Sequence, residues 1–280
     1  MAGAAPGVTV AAPAKVNLAL HVTGRRADGY HLLDTLVAFA DVGDTLTLRR
    51  ASAPALTVSG PEAAGVPDGP ENLVARAIAA APLPDGAAVA AHLIKRLPAA
   101  AGIGGGSADA AAALRGMQAL GAAPPSPEAV AALGADVPMC LAGRPLRARG
   151  IGEEMAALAS LPEVAAVLVN PRVPVATPDV FAALACRENA PMPCDLPRWP
   201  DARALAGWLA TQRNDLEAPA LTVAPILSSV LDALGGQDGC LLARMSGSGA
   251  TCFGLFADVE TAGTAAARLA AARPGWWVAP

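Results

Sequence analysis

The chain of 280 residues is long enough for one large domain or two domains of ordinary size. Its formal net charge of −4 argues against binding to nucleic acid, which requires a basic patch, and no apolar run is long enough to cross a bilayer. Apolar residues make up 54% of the chain but aromatic residues only 3%, so small aliphatic side chains must build most of the core.

In the first half of the chain the residue pattern predicts four strands and two helices. Within the predicted strand 8–22, apolar side chains alternate with the others over residues 15–22, which places Lys15 and Asn17 on one face. Asn72 and Ser107 are suitable N-caps, because a side-chain oxygen can accept from the free N–H groups of a first helical turn. The predicted strands cover residues 8–22, 44–49, 55–59 and 88–97, and the helices cover 72–81 and 108–120.

In the second half, the turn Ser246-Gly-Ser-Gly249 separates two apolar runs, residues 240–245 and 250–256, in the manner of a β-hairpin. Further strands are predicted at 164–169 and near Trp277, and helices from Thr177 onward and over 202–211, 224–234 and 258–272. The order of the elements predicts an N-terminal domain over residues 1–155 and a C-terminal domain over residues 156–280.

The cysteines and the N-terminus predict where the protein works. No two of the five cysteines have the C-x₂-C spacing of a metal site, and the odd number argues against a disulfide framework. We therefore expect reduced thiols, most of them buried as small hydrophobic side chains. Residues 1–8 lack the basic and apolar regions of a signal peptide. Together these features predict a soluble, cytoplasmic protein. The cysteines are Cys140, Cys186, Cys194, Cys240 and Cys252.

Residues 98–107, Pro-Ala-Ala-Ala-Gly-Ile-Gly-Gly-Gly-Ser, are the strongest local signal for ligand binding. Glycine allows positive φ and close approach of the backbone to a ligand, and the N-terminus of the following helix favours a phosphate. The segment lacks the Gly-Lys-Ser/Thr ending of a Walker A loop, and it is not a dinucleotide fingerprint. A purely structural turn is the alternative.

Lys15 is one of only two lysines among the 20 basic residues, the other being Lys95. A lysine supplies a compact point charge that can stabilise a transferring phosphoryl group or a substrate oxygen. The alternative is a solvated lysine on an edge strand.

Asp136 is a single carboxylate inside an apolar run, Leu-Gly-Ala-Asp-Val-Pro-Met-Cys. A buried carboxylate needs a partner, and a lysine is the obvious one. A lysine–aspartate pair beside a bound hydroxyl could orient and deprotonate it. The alternative is an aspartate that caps a helix or a turn.

Two further segments have an open interpretation. Tyr30, the only tyrosine, stands next to His31 after a turn, where the pair either packs the loop or stacks on a ligand. Residues 246–249 either form a plain hairpin turn or present a second backbone surface to a nucleotide or substrate.

Taken together, these segments resemble the GHMP kinase superfamily in order and spacing over nearly the whole chain. The matching blocks are Ala12-Pro-Ala-Lys-Val-Asn-Leu18, residues 24–33, residues 98–111, Gly134-Ala-Asp-Val-Pro138 and Met245-Ser-Gly-Ser-Gly-Ala250. The resemblance implies a two-lobed α+β fold with the active site in the cleft between the lobes. It also implies a small-molecule kinase that uses ATP with Mg²⁺.

The resemblance also implies roles for individual residues. Lys15 and Asp136 match the catalytic pair, and no residue is assigned as a metal ligand. Residues assigned to ATP are Pro98, Ala99, Ala100, Ala101, Gly102, Ile103, Gly104, Gly105, Gly106, Ser107 and Ala108. Residues assigned to the substrate are Asn17, Tyr30, His31, Phe181, Ser246, Gly247, Ser248 and Gly249, with the aromatic side chains receiving a cytosine.

The implied reaction is phosphorylation of the 2-hydroxyl of a cytidine-diphosphate-linked methylerythritol, in isoprenoid precursor synthesis by the non-mevalonate pathway. One alternative is another kinase of the superfamily, acting on homoserine, mevalonate or a sugar. Those substrates carry no base to stack, so the Asp-Gly-Tyr-His segment discriminates against them. A second alternative is a nucleotide-binding sensor that has kept the fold without the chemistry. The oligomeric state is left open.

Overall fold

Residues 7–280 are described by the computed structural model of the chain, and they form ten strands and nine helices. The strands are β1 (Val8–Arg25), β2 (His31–Ala51), β3 (Ala55–Ser59), β4 (Ala88–Ile94), β5 (Leu146–Gly150), β6 (Glu154–Ala157), β7 (Ala165–Asn170), β8 (Leu242–Met245), β9 (Cys252–Phe256) and β10 (Trp277–Ala279). The helices are α1 (Leu73–Ala80), α2 (Gly105–Ala119), α3 (Pro127–Leu133), α4 (Val137–Ala142), α5 (Thr177–Ala182), α6 (Ala202–Ala210), α7 (Glu217–Val223), α8 (Ile226–Gly235) and α9 (Val259–Ala272). The signal-peptide prediction concerns residues 1–8 and lies largely outside the described residues.

The chain divides into two compact units that are not continuous in sequence. The first contains residues 7–15, Ala40–Ala99 and Gly104–Arg144, and the second contains Val16–Phe39, Ala100–Ile103 and Pro145–Pro280. Strands β1 and β2 are long enough to run through both units. The predicted α+β class with two lobes is confirmed, whereas the domain boundary at residue 155 and the position of the active site in a cleft stay predictions.

The first unit has a sheet with strand order β3-β4-β2, and β1 pairs with β2. Strands β3 and β4 are parallel, whereas β4 and β2 are antiparallel with Leu93 opposite Leu46. Helix α2 is buried along most of its length, and α1 and α4 pack against it. Its alanines allow this close approach, because a methyl group adds little bulk while favouring the helix.

The second unit contains an antiparallel arrangement of β2, β5 and β6 and a separate four-stranded sheet with order β10-β7-β9-β8. The core beside the four-stranded sheet consists of Val167, Val169, Phe256 and the apolar faces of α8 and α9. Because β8 and β9 are antiparallel neighbours, with Met245 opposite Cys252, the turn of residues 246–249 is fixed at the end of a buried hairpin.

Most elements predicted from the sequence are confirmed, including β1, β3, α1 capped by Asn72, α9 and the β8–β9 hairpin. The sequence pattern missed α3, α4, α7, β5, β6 and the first part of β2. The polar face predicted for β1 is wrong in one respect, because residues on both sides of the strand are buried from Ala14 to Val22. The alternation of residue types along β1 shows which side chains are polar, whereas the burial of each face depends on the elements that pack against it.

Each of the five cysteines, all within the described residues, is a free thiol. The expectation that most are buried is wrong: Cys140 and Cys252 are buried, but Cys186 and Cys194 are exposed. The two exposed residues lie in the long irregular segment between α5 and α6, which has no regular element to cover them. Over residues 7–280, no helix combines the length and apolar character that a membrane span requires.

Candidate active site

Helix α2 begins earlier than its sequence suggests. Gly104, not Ser107, is the N-cap, and it takes the left-handed conformation with φ of 63°. No side chain caps this helix, so the prediction of a Ser107 cap is wrong. A left-handed N-cap is accessible to glycine at little cost, which lets the helix start at Gly105. The first N–H groups of α2 therefore have no side-chain acceptor from the cap residue and can receive an anion.

The segment before α2 has an unusual backbone. Positive φ occurs at three alternate residues, Ala100, Gly102 and Gly104, with values of 49°, 71° and 63°. Alternation of left-handed residues with their neighbours turns successive N–H groups toward one side, a conformation that binds anions. Gly106, in the first turn of α2, is exposed. The backbone of residues 100–104 therefore has a conformation that can receive an anion.

The hairpin turn of residues 246–249 contacts Gly102 of this loop. The Ser246 hydroxyl accepts from the N–H of Asn17 at 3.0 Å and donates to the carbonyl of Gly102 at 3.1 Å. A Cβ atom at Gly102 would lie 2.5 Å from the carbonyl oxygen of Gly249, so only glycine fits there. The N–H of Thr251 also donates to the carbonyl of Ala101 at 3.0 Å. The turn is therefore both a hairpin and a support for the loop.

Lys15 and Asp136 form an ion pair, with 3.0 Å between Nζ and Oδ2. The Lys15 side chain is 5% exposed, so the alternative of a solvated edge lysine is wrong. Asp136 precedes helix α4 at the N-cap position but makes no capping bond, and its side chain is 36% exposed. The predicted pairing of this carboxylate with a lysine is confirmed.

The ion pair lies at the N-terminus of α2. A Cβ atom built on Gly104 would lie 3.2 Å from Cε of Lys15 and 3.7 Å from Oδ2 of Asp136. One small ligand group could thus contact the Lys15 ammonium, the partly exposed Asp136 carboxylate and the N-terminus of α2. Such an arrangement can bind a phosphate and deprotonate or orient a hydroxyl beside it.

An aromatic stack occurs within the second unit. The rings of His31 and Phe181 are 4.5 Å apart and inclined by 21°, while Tyr30 is 61% exposed. Burial lowers the pKa of His31, and the positive charges of Arg25 and Arg187 add to this, so the neutral imidazole is favoured. Within residues 7–280 the buried Nε2 atom of His31 has no hydrogen-bond partner.

The remaining polar residues of the predicted substrate site are bonded to threonines that the sequence did not single out. The side-chain amide of Asn17 donates to Thr35 Oγ1 at 2.8 Å, and Ser248 Oγ lies 2.8 Å from Thr177 Oγ1. Thr177 was predicted only as a helix start, and Thr35 lies in the part of β2 that the pattern missed. In residues 7–280, no group of three or more His, Cys, Asp and Glu side chains could hold a metal ion.

Comparison with known proteins defines the class. A family model described as the GHMP kinases N terminal domain matches residues 72–146, and one described as GHMP kinases C terminal matches residues 195–274. The first match includes α2, its preceding loop and Asp136. The chain therefore belongs to the GHMP kinases, and the resemblance found in the sequence is confirmed.

More similar proteins narrow the class. A 4-diphosphocytidyl-2-C-methyl-D-erythritol kinase from Dinoroseobacter shibae is 58% identical over 99% of this chain and 96% of that protein. A crystal structure of 4-(cytidine 5'-diphospho)-2C-methyl-D-erythritol kinase has a TM-score of 0.75 at 37% identity and covers 97% of this chain and 98% of that one. A homoserine kinase from Cytophaga hutchinsonii, with a TM-score of 0.64 and 19% identity over 98% of this chain and 94% of its own, shares the fold alone. This chain belongs to the 4-diphosphocytidyl-2-C-methyl-D-erythritol kinase family.

Proposed function

We propose that this chain transfers the γ-phosphoryl group of ATP to the 2-hydroxyl of 4-diphosphocytidyl-2-C-methyl-D-erythritol. Membership of the family supports the substrate and the reaction. The observation that carries the proposal is the Lys15–Asp136 pair at 3.0 Å, beside Gly104 at the N-terminus of α2. Without this pair the loop would remain a nucleotide-binding element with no group to act on the acceptor.

Asp136 accepts or orients the proton of the attacking hydroxyl, because its carboxylate is partly exposed and lies close to the helix N-terminus. Lys15 offsets negative charge as the phosphoryl group passes, and its ion pair fixes the direction of the carboxylate. Since phosphoryl transfer has a loose transition state, positioning and charge stabilisation supply most of the catalysis.

The loop of residues 98–108 holds the phosphates of ATP through backbone N–H groups. Positive φ at Ala100, Gly102 and Gly104 and the uncapped start of α2 support this role. Mg²⁺ accompanies ATP in such reactions and keeps several waters, so phosphate oxygens supply much of its coordination.

The cytosine of the substrate packs with the aromatic residues Tyr30, His31 and Phe181. The stack of His31 on Phe181 supplies a flat surface against which the base can pack. Asn17 and the turn residues 246–249 hold the polar part of the substrate. The five free thiols support a cytoplasmic location, where thiols stay reduced.

The direct test is incubation of the purified chain with ATP, Mg²⁺ and 4-diphosphocytidyl-2-C-methyl-D-erythritol, with phosphorus NMR of the product. We expect substrate-dependent formation of ADP and a new phosphomonoester signal. Parallel incubations with homoserine and mevalonate test the alternative kinases, and turnover of one of these in place of the cytidine substrate would favour them. Absence of turnover with every acceptor would leave the sensor alternative.

A second experiment tests the cytosine site. In Phe181→Leu we expect affinity for cytidine diphosphate to fall by about tenfold, because stacking on an aromatic ring is worth about 1–3 kcal/mol per base. The KM for ATP in the same variant serves as the internal control and should stay unchanged. Equal affinity of the variant and the native chain for cytidine diphosphate would remove Phe181 from the site.

A further inference from the structure

A buried cluster of three ionisable groups lies beside the phosphate loop and has no part in the mechanism above. Lys95 Nζ donates to Asp109 Oδ2 at 2.8 Å and also pairs with Asp44. All three side chains are buried, with Asp109 3% exposed. Asp44 further accepts from the N–H groups of Arg96 and Leu97, at 2.5 Å and 2.9 Å. Replacing a buried ion cluster by apolar side chains of similar volume often leaves stability unchanged. Stability alone therefore does not explain why this cluster is present.

The position of the cluster gives the reason. Lys95 and Leu97 lie immediately before the loop of residues 98–108, and Asp109 lies immediately after it. The Lys95–Asp109 contact therefore joins the two ends of the loop, and Asp44 anchors the first end to strand β2. A Cβ atom on Gly105 would lie 3.6 Å from Lys95 Nζ, so the ammonium is directly behind the first residue of α2.

We propose that Lys95 is a positioning residue: through Asp109 and Asp44 its ammonium holds the two ends of the phosphate loop together and so sets the affinity for ATP. This inference rests on the proposed function, because it assumes that the loop binds ATP. In this role Lys95, Asp109 and Asp44 affect the conformation of the loop and the charge beside it, and they do not contact the acceptor hydroxyl.

Charge gives the cluster a second effect on ATP. With both carboxylates ionised, one ammonium faces two negative charges beside a site for a polyanion. Burial raises the pKa of Asp109 to about 7, although Lys95 opposes the shift. Burial would lower the pKa of Lys95, but Asp109 and Asp44 outweigh it and raise the pKa. Binding of phosphates therefore favours the protonated form of Asp109, which carries no repelling charge.

Three titratable groups from different parts of the fold face Asp109. Lys95 follows β4, Asp44 lies on β2, and Cys140 on α4 is the third titratable group. Burial raises the pKa of the Cys140 thiol to about 12, so it stays neutral near pH 7. The face of α1 that packs on α2 contributes only apolar side chains to the core. Protonation of Asp109 is thus the one change of charge that we expect in the cluster near neutral pH.

The test compares Asp109→Ala and Asp109→Asn with the native chain. Asp109→Ala removes one of the two carboxylates that accept from Lys95, the one that lies after the loop. We expect the KM for ATP to rise about tenfold, the value of one charge-assisted hydrogen bond. The kcat and the KM for the second substrate should stay unchanged, because the Lys15–Asp136 pair is intact. Asp109→Asn keeps an oxygen acceptor and should restore the KM for ATP at pH 6. Asp85→Ala, which removes an exposed carboxylate paired with Arg50 in the same unit, is the matched control.

The pH profile separates positioning from general destabilisation. Between pH 6 and pH 8 the ratio of the KM for ATP in the native chain to that in Asp109→Asn should rise, because only the native carboxyl ionises. Using this ratio cancels the titration of ATP itself. Calorimetry of ATP binding in two buffers of different ionisation enthalpy should show proton uptake by the native chain that exceeds the uptake by Asp109→Asn.

The outcomes are distinct. An unchanged KM for ATP in Asp109→Ala, or a ratio that is flat with pH, would overturn the inference. If Asp109→Ala does not fold, the pH ratio and the calorimetry of Asp109→Asn decide alone. Absence of ATP turnover in the native chain would overturn the proposed function instead, while turnover that is indifferent to Asp109 would overturn only the role of the cluster.

Discussion

The Nζ atom of Lys15 lies 3.0 Å from Oδ2 of Asp136, which joins a buried ammonium on β1 to a partly exposed carboxylate at the start of α4. The unequal exposure has a chemical meaning. A carboxylate that keeps access to solvent can reach a substrate hydroxyl, whereas its buried partner keeps a fixed position. The pair thus joins a buried ammonium to a carboxylate that a ligand can reach.

Replacing either member should abolish most of the activity without unfolding the chain. In Lys15→Met and Asp136→Asn we expect kcat to fall by about two to four orders of magnitude, as for the loss of a general base. The double variant should be little worse than either single variant, because groups that act as a unit are not additive. Steady-state kinetics with thermal melting as the fold control checks this. Near-normal turnover in both single variants would remove the catalytic assignment.

Gly102 should be sensitive to substitution in a way that its backbone angle alone does not explain. Gly102 and Gly86 have almost equal φ, 71° and 69°, but a Cβ atom meets the carbonyl of Gly249 only at Gly102 and meets nothing within 4 Å at Gly86. Both alanine variants lose the conformational freedom of glycine. We therefore expect Gly102→Ala to be less stable than Gly86→Ala by about 1–3 kcal/mol, the usual cost of overpacking.

Urea unfolding of both glycine variants measures the difference, and the KM for ATP provides a second readout. Gly102→Ala should raise this KM because the loop must shift away from the turn, whereas Gly86→Ala should leave it unchanged. Equal loss of stability in the two variants would mean that the turn does not support the loop.

The ion pair of Arg147 with Asp34 should contribute strongly to stability. Arg147 binds both carboxylate oxygens, at 2.8 Å and 2.6 Å, and also donates to three carbonyl groups of residues 192–194. Both side chains are buried, and Asp34 Oδ2 also accepts from the N–H of Met192 at 2.9 Å. In Arg147→Met the carboxylate loses its charge partner, so we expect a loss of about 3–5 kcal/mol.

Arg268→Met is the control for Arg147, since its pair with Asp238 is similar in length, at 2.7 Å, but exposed. Exposed ion pairs are worth about 0–1 kcal/mol, so this variant should melt almost like the native chain. A similar loss of stability in the two variants would show that burial of the Arg147 pair adds nothing.

His21 should make the protein less stable in mild acid. Its Nε2 accepts from the N–H of Arg213 at 3.1 Å, so its Nδ1, 3.1 Å from the carbonyl of Ala190, must donate. Burial, followed by the charge of Arg213, lowers the pKa of this imidazole below 6.5. The unfolded chain therefore takes up a proton first as the pH falls, which favours unfolding. The loss begins near pH 6.5 and is complete below the folded pKa.

Urea unfolding between pH 8 and pH 5, on the native chain and His21→Gln, measures the effect. The difference in unfolding free energy between the two proteins should narrow as the pH falls, because only the native chain carries this imidazole. A difference that stays constant over the range would contradict the assigned protonation state.

Several parts of the site could be predicted from local sequence. Ser246-Gly-Ser-Gly249 between two apolar runs identified its hairpin, and the glycines of residues 102–106 indicated the start of a helix. Lys15 stood out because lysine is rare among the basic residues, and Asp136 because it is a single carboxylate inside an apolar run. These signals depend on residues that are close together in the chain, so the sequence alone is sufficient to detect them.

The exact helix start could not be predicted, since Ser107 is the better cap by residue type and Gly104 is the actual one. The choice depends on a left-handed residue beside Lys15 and Asp136, which no local pattern records. The roles of Thr35 and Thr177 were missed for the same reason, because their partners Asn17 and Ser248 are distant in the chain.

The sequence by itself determined the class of protein, and it pointed to the glycine-rich loop and to Lys15 and Asp136 as candidate site residues. Only the tertiary structure decided that Lys15 meets Asp136, that His31 stacks on Phe181 and that Lys95 joins Asp44 to Asp109. The physical reason is that backbone propensity and periodicity act over a few residues. Ion pairs, stacking and burial instead depend on which distant segments the fold brings into contact.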